Sequence, residues 1–550
     1  MNIPTILHRA AAALAIVIIS ASEAWAQGVV EYIDANGRER YCTLYTTLRH
    51  GSNTTLGNEG VTRWYVLPEE EDLNFFSPLT INGDVNIILT DGKKMTVKGN
   101  GYAAIVLNGN LTIYGQANST GTLTAIGERI GINSNGNYNL TINGGTVNIS
   151  GDHDTGIHVN NFTVNGGKVT ATGDDYGIEA DGDITLSWRN PTDRIYSTSY
   201  PDIIKITKPF TDGTNTYNGE AVEDYRYYCH MDVNPSGKTL YAANDVHYID
   251  EDGDTHTVTA AALDGSETTL AEGWYVASGT VNFDHGITLS GDVHLILADY
   301  CHMSMGSSTN RIDDIGINCT GTATLTVTSQ SLSPGVGDLT IYSHLSAISA
   351  SDLTINGGYV TADTDGDNSN ALAAICGDLT INGGIIRAAG TGTYADAINA
   401  GKNFHYNGGN VTAIGNGNGY AIKADSKHYT FNWRNAADCI TIGTTGLYTS
   451  GKTATFSKAF TDGTVVYLGE ITGNDLSTLA GKTFTAYDGK LGDIVRDDRF
   501  TATDVQTLVY IILGQPSPEY DTIAADVNHD RRISIADVTA LVKMIIENQE

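Results

Sequence analysis

Through the middle of the chain, apolar and polar residues alternate one by one in short runs that break at glycine. Leu140-Thr-Ile-Asn-Gly144-Gly145-Thr-Val-Asn-Ile149 sets the pattern. It returns in Phe162-Thr-Val-Asn-Gly166-Gly167-Lys-Val-Thr170, Leu353-Thr-Ile-Asn-Gly357-Gly358-Tyr-Val-Thr361, Leu379-Thr-Ile-Asn-Gly383-Gly384-Ile-Ile-Arg387 and Phe404-His-Tyr-Asn-Gly408-Gly409-Asn-Val-Thr412. A period of two turns one face of a strand inward and the other to water. Asn-Gly-Gly then supplies a corner, because glycine takes positive φ without a Cβ penalty. The asparagines at 143 and 165 stand 22 residues apart, and those at 356, 382 and 407 stand 26 and 25 apart. A unit of that length cannot bury its own apolar face, so units must stack. The predicted fold is mainly β, built of right-handed parallel β-helices; a meander of separate hairpins needs a shorter spacing. Past residue 500 the period changes. Val505, Leu508, Val509 and Ile512, then Val538, Leu541, Val542 and Ile545, fall at helical spacing and predict two amphipathic helices.

The alternating region is itself doubled. Val30-Glu-Tyr-Ile-Asp34 matches Val246-His-Tyr-Ile-Asp250, and Trp64-Tyr-Val66 matches Trp274-Tyr-Val276. Trp188-Arg-Asn190 matches Trp433-Arg-Asn435, and Phe210-Thr-Asp-Gly213 matches Phe460-Thr-Asp-Gly463. The offset is 216 and 210 residues at the first two pairs and 245 and 250 at the last two, so the second copy has gained rungs or loops. The expected layout is a first module over 27–220, a second over 221–470, a linker over 471–488 and a helical module over 489–550. Each β module is expected to open with a strand-turn-strand piece that caps the edge of the stack. The matched tryptophans are assigned to packing at module ends.

Charge and the N-terminal stretch narrow the setting. Acidic residues outnumber basic ones 63 to 31, a net charge of −32, which disfavours nucleic acid or an anionic membrane as partner. Residues 1–26 read as a secretory signal: His8 and Arg9, an apolar stretch from Ala10 to Ile19, and Ala24-Trp25-Ala26 before the cleavage point. No other apolar run reaches spanning length, so a secreted or cell-surface protein is expected. The six cysteines (Cys42, Cys229, Cys301, Cys319, Cys376, Cys439) form no C-x-x-C pair. Cys301 and Cys319 could bridge in an oxidising compartment, but burial as small hydrophobes is the expected fate of most.

Ahead of each C-terminal helix stands a twelve-residue loop rich in oxygen donors. The first runs from Asp493 through Asp497, Arg499 and Thr501 to Asp504; the second runs from Asp526 through Asn528, Asp530, Arg532 and Ser534 to Asp537. Opening and closing aspartates repeat at an offset of 33. Side-chain oxygens at positions 1, 3, 5, 9 and 12, with a backbone carbonyl at 7 (Arg499, Arg532), wrap a Ca2+ ion. Val495 at position 3 of the first loop cannot ligate, so that site is expected to be the weaker. Neither loop has the usual glycine at position 6, where Asp498 and Arg531 stand. The bland alternative is a pair of solvated acidic turns. The doubled loop-helix unit over 489–550 resembles the dockerin module, which implies calcium binding and a cohesin-like partner domain. Dockerins often read that partner through loop positions 10 and 11, here Ala502-Thr503 and Ile535-Ala536.

Gly177-Ile-Glu179-Ala-Asp181-Gly-Asp183-Ile-Thr-Leu and Asn143-Gly-Gly-Thr-Val-Asn-Ile149 resemble secreted carbohydrate-binding β-helix proteins, over 75–190 and 285–435. The resemblance implies calcium-assisted binding of acidic, pectin-like polysaccharide along the helix flank, without hydrolysis. Acidic corners such as Asp363, Asp365 and Asp367 are the candidate metal positions in the stack, because a divalent cation relieves repulsion between carboxylates on neighbouring rungs. Turn-forming, solvated aspartates are the alternative. Tyr102, Tyr176, Tyr359, Tyr394 and Tyr420 are candidates for stacking on sugars, although partial burial is the commoner fate of a tyrosine. A surface adhesin is a rival function. An enzyme is weighed too: Asp174-Asp175 faintly matches a polygalacturonase acid pair, but the accompanying Gly-His-Gly and Arg-Ile-Lys signatures are absent. A lyase needs a base beside its metal, for which Lys168 or Arg387 would have to approach in space.

Overall fold

The computed structural model describes residues 28–50, 54–199, 203–217, 220–221, 227–230, 236–332, 335–426, 428–515, 520–528 and 530–547. The signal sequence expected over 1–26 lies outside them. Two compact units emerge. One comprises the chain up to Arg189 with Arg194–Thr207 and Ala221–Lys238, the other Asn190–Asp193, Lys208–Glu220 and Thr239–Glu550. Around the expected module boundary at 220/221, short segments before Thr239 fall alternately to the two units.

In the first unit each rung crosses three parallel sheets, as in Leu79–Asn82, Val85–Leu89 and Lys94–Lys98. Register is fixed by the alternation: Leu79, Ile105, Ile132, Ile157 and Ile178 lie over one another, all buried. The second unit stacks Val293, Leu325, Leu353, Leu379, Phe404 and Tyr429 in the same way. A one-residue slip would move every one of these side chains to the solvent face, so the register is strongly specified.

Each Asn-Gly-Gly corner carries a second device besides its glycine. The second glycine of each pair takes positive φ (Gly145 82°, Gly167 100°, Gly358 95°, Gly384 92°, Gly409 90°). The asparagine turns inward and bonds its neighbour on the next rung. Asn165 Nδ2 donates to Asn143 Oδ1, Asn382 Nδ2 to Asn356 Oδ1 and Asn407 Nδ2 to Asn382 Oδ1, each at 2.8 Å. A stacked amide ladder satisfies polar groups that the corner would otherwise bury unpaired.

The opening strand-turn-strand pieces are hairpins, and they do more than cover an edge. Val30–Ile33 pairs with Glu39–Cys42 and lies on the outer face of the first rungs, where Tyr32 packs on Trp64 and Tyr114 with ring centroids 4.9 Å away. In the second unit, Thr239–Ile249 pairs with Thr255–Ala262. The base of this hairpin joins the ladder as Ala261–Tyr275. Its tip lies on the flank, with Tyr248 on Trp274, Trp274 stacked on His294 at 4.2 Å, and Thr328 Oγ1 donating to the Ile249 carbonyl. Trp64 and Trp274 thus anchor hairpins near the start of their modules, while Trp433 donates Nε1 to the Ala459 carbonyl near the end.

Residues 471–488, expected as a linker, instead close the last rung. A 3-10 helix (Gly473–Leu479) and a strand (Lys482–Ala486) antiparallel to Cys439–Ile442 bury Leu476, Leu479 and Phe484 in the main core. Cys301 and Cys319 are buried and free, and burial pushes their thiols up to about 11 and about 12, the behaviour of inert core residues. No helix among the described residues is long and apolar enough to cross a membrane.

Candidate functional site

The C-terminal helices are α1 (Ala502–Ile512) and α2 (Ile535–Glu547), packed around their own small core of Ile494, Leu508, Ala524, Ala525, Val527 and Leu541. The two loops that precede them share most of their hydrogen bonds. At position 1, Asp493 accepts from the amides of Asp497 and Asp498, and Asp526 from those of Asp530 and Arg531, at 2.8–3.1 Å. At position 12, Asp504 accepts from the amides of Ile494, Val495 and Thr501, and Asp537 from those of Asn528 and Ser534. Position 6 adopts the left-handed backbone in both loops, Asp498 at φ 63° and Arg531 at φ 66°, which is the strain the missing glycine implies.

The last two ligand positions also start the helices. Thr501 Oγ1 accepts from the Thr503 amide while Asp504 reaches back to the Thr501 amide, a capping box. Ser534 and Asp537 do the same for α2 through the amides of Ala536 and Ser534. Sequence reading assigned these four residues to metal alone and missed the second role, which Thr-x-x-Asp and Ser-x-x-Asp ahead of an apolar run do signal.

The loops differ where ligands converge. Oxygens of Asp526, Asp530 and Asp537 lie within 4.8 Å of one another; among the described residues this is the one place where three such groups meet. Asp493, Asp497 and Asp504 of the first loop do not come together to that extent. Asp526 and Asp537 are buried and Asp530 exposed, so the cluster opens to solvent on one side.

The acidic corner of the second β-helix has a different character. Asp363 is buried between Arg311 (Nη2 to Oδ1, 2.7 Å) and Arg387 (Nη1 to Oδ2, 2.9 Å), and the Arg311 Nη1 also bonds its carbonyl. Asp365 receives Arg311 Nε at 3.2 Å and His344 Nδ1 at 2.8 Å. Asp367 is exposed and accepts from the Thr393 amide. The charge relief that the sequence assigns to a cation is thus supplied here by guanidinium groups. In the first unit Asp154 is met by Arg129 at 2.9 Å.

Four of the five candidate tyrosines (Tyr102, Tyr176, Tyr359, Tyr394) are exposed, against the expectation of partial burial; Tyr420 packs on Tyr448. A groove of about 750 Å³ runs along the Asn-Gly-Gly corners of the second unit, with Tyr359 and Ile385 on its wall, the hairpin tip at Asp252 and Gly253 at one end and Arg434 at the other. The sequence pointed to its glycines as corners, not as a floor.

Comparison with curated proteins and with solved structures finds no match. Residues 491–546 match the family model described as Dockerin type I domain, and the chain therefore carries such a domain beside its β-solenoid.

Proposed function

We propose that this is a secreted, non-catalytic polysaccharide-binding protein whose dockerin domain attaches it, through calcium-loaded loops, to a cohesin-bearing partner. The observation that carries the reading is the convergence of Asp526, Asp530 and Asp537 in a loop whose neighbours fit a calcium ligand set. Asn528, Ser534 and the Arg532 carbonyl would complete it, and the ion would offset the mutual repulsion of the carboxylates. The first loop, with Asp493, Asp497, the Arg499 carbonyl, Thr501 and Asp504, would hold calcium less tightly. Ile535 at loop position 10 is 70% exposed, and Val542 and Ile546 further along α2 are exposed too, which suits a protein-docking face.

The β-helices supply the glycan side of the proposal: long stacked flanks with exposed tyrosines. Arg387 does reach the acidic corner, yet it is engaged as counter-ion to Asp363 and is poorly placed to act as a lyase base. The test is paired. A panel of cohesin domains is titrated with the full chain in calcium and in chelator, and a glycan array is probed alongside, with reducing ends and ultraviolet-absorbing products followed over time. Calcium-dependent cohesin capture and glycan binding without products are expected. Accumulating products would replace this reading by an enzymatic one, and an array without any binder would leave an adhesin.

A further inference from the structure

The two β-helices end on the same Trp-Arg-Asn turn, and the arginine does opposite things in them. In the first unit Arg189 lies over the glycine column. A Cβ on Gly144 would sit 3.0 Å from its Nη2, and one on the hairpin glycine Gly37 would sit 2.8 Å from its Cδ. Its Nη1 donates to the Asp34 carbonyl at 3.0 Å, so arginine and hairpin tip together close the column. That unit has two Asn-Gly-Gly corners; the second has three. There Arg434 approaches Gly408 with its Cβ, 3.5 Å from a Cβ built on that glycine, and among the described residues nothing stands within 4 Å of a Cβ built on the hairpin glycine Gly253. The added rung separates the two closing elements and leaves the groove between them open.

We infer that this groove is the glycan site, and that it takes a linear polysaccharide segment bearing a carboxylated sugar, with the carboxylate on Arg434. The inference rests on the polysaccharide-binding reading above and gives it a location. Glycine backbone at Gly357, Gly358, Gly383, Gly384 and Gly409 forms much of the lining, so a sugar ring can approach closely there. Rungs repeat at about 4.8 Å, close to the length of one sugar unit in an extended chain. Successive rungs therefore present equivalent positions to successive sugars. Tyr359 (42% exposed), Ile385 (50% exposed) and Asn410 stack in register along the wall, offering apolar faces for ring C–H groups and an amide for hydroxyls. Among the described residues the Arg434 guanidinium makes no ion pair, in a chain of net charge −32. A planar, permanently charged fork without a partner suits a carboxylate. A peptide strand fits less well, because the carbonyls of Gly358 and Gly384 already accept from the amides of Ile385 and Asn410 on the next rung.

The experiment titrates the full chain with a tetramer of galacturonate and with a neutral hexose tetramer, in calcium and in chelator. Arg434→Gln should weaken the acidic tetramer about tenfold or more, as loss of a charge-assisted contact does, and leave the neutral one nearly unchanged. Ile385→Glu, at an exposed position, should abolish binding of the acidic tetramer. Unfolding curves of both variants should overlay the parent. Chelator should not weaken binding, because arginine and not metal holds the carboxylate. If the parent chain binds the acidic tetramer but both variants bind it equally well, or binding requires calcium and ignores Arg434, the location is wrong and the polysaccharide reading survives. If the parent binds neither tetramer, the polysaccharide reading falls with it.

Discussion

Substituting Asp530 by asparagine should have opposite effects with and without calcium. Its carboxylate is the exposed member of the cluster with Asp526 and Asp537, whose oxygens lie within 4.8 Å. At that separation and an effective dielectric of 20, each like-charge pair is repelled by about 3.5 kcal/mol. Exposure screens Asp530 strongly, so the realised relief on neutralising it is about 1 kcal/mol. An asparagine Oδ1 still accepts from the Arg532 amide as the aspartate does at 2.9 Å, and only the exposed bond from Asn528 Nδ2 to the other oxygen is lost. In chelator the variant should therefore melt higher, by about 4–8 °C for a module of this size. In excess calcium it has lost a charged ligand. A tenfold weaker Kd removes about 1.4 kcal/mol of ligand stabilisation, and the order reverses. The assay is thermal unfolding read by the helical far-ultraviolet signal, which among the described residues comes chiefly from α1 and α2. Asp526→Asn is the control: the buried carboxylate accepts from two amides, an asparagine has one acceptor, and the variant should lose stability in both conditions. A variant at 530 less stable than the parent in chelator would refute the reasoning, since it would show that the three carboxylates do not repel one another in the folded loop.

Val495→Asn should tighten calcium at the first loop by adding the missing oxygen at position 3, seen by calorimetric titration as a stronger second site; an unchanged isotherm would mean the loop register is wrong. Arg311→Met should destabilise the second β-helix by about 3 kcal/mol, because it strips a buried carboxylate of its better partner, whereas Arg387→Met, on a half-exposed side chain, should cost less than about 1 kcal/mol in denaturant melts. Asp462 gives a pH prediction. Burial raises its pKa, but Lys482, Thr464 and the Val465 amide outweigh this and hold the carboxyl below its ordinary value. That stabilisation is fully present above the unfolded pKa of about 4 and is lost as pH falls through the folded value. Lys482→Met should flatten this acid limb of the stability curve.

Much of the fold was legible because stacked rungs repeat their requirements. Leu-Thr-Ile-Asn-Gly-Gly states the strand, the buried face and the corner within six residues, and each recurrence restates them. What stayed hidden depends on partners far away in the chain. Arg311 meets Asp363 across 52 residues, so the acidic corner read as a metal site when judged by its own neighbourhood. The hairpin tyrosines Tyr32 and Tyr248 pack on tryptophans of later rungs, and no local pattern says whether a hairpin covers an edge or lies on a flank. Residues 471–488 looked like a linker because their apolar residues (Leu476, Leu479, Phe484) follow neither period, yet a stack must be closed by some irregular piece. The convergence of Asp526, Asp530 and Asp537 could be anticipated, since one twelve-residue loop carries all three.

The amide ladder makes the length of the stack a countable variable. Each rung passes its register to the next through the same asparagine, glycine and aliphatic positions, so inserting about 25 residues adds one step without disturbing the rest. Hairpin tip and terminal arginine belong to opposite ends of this count. Their separation therefore grows in whole steps: none is left open in the first β-helix, and a gap is open in the second. Such a solenoid behaves as a ruler, in which duplication of a single short segment sets how long an extended molecule can lie between two fixed stops.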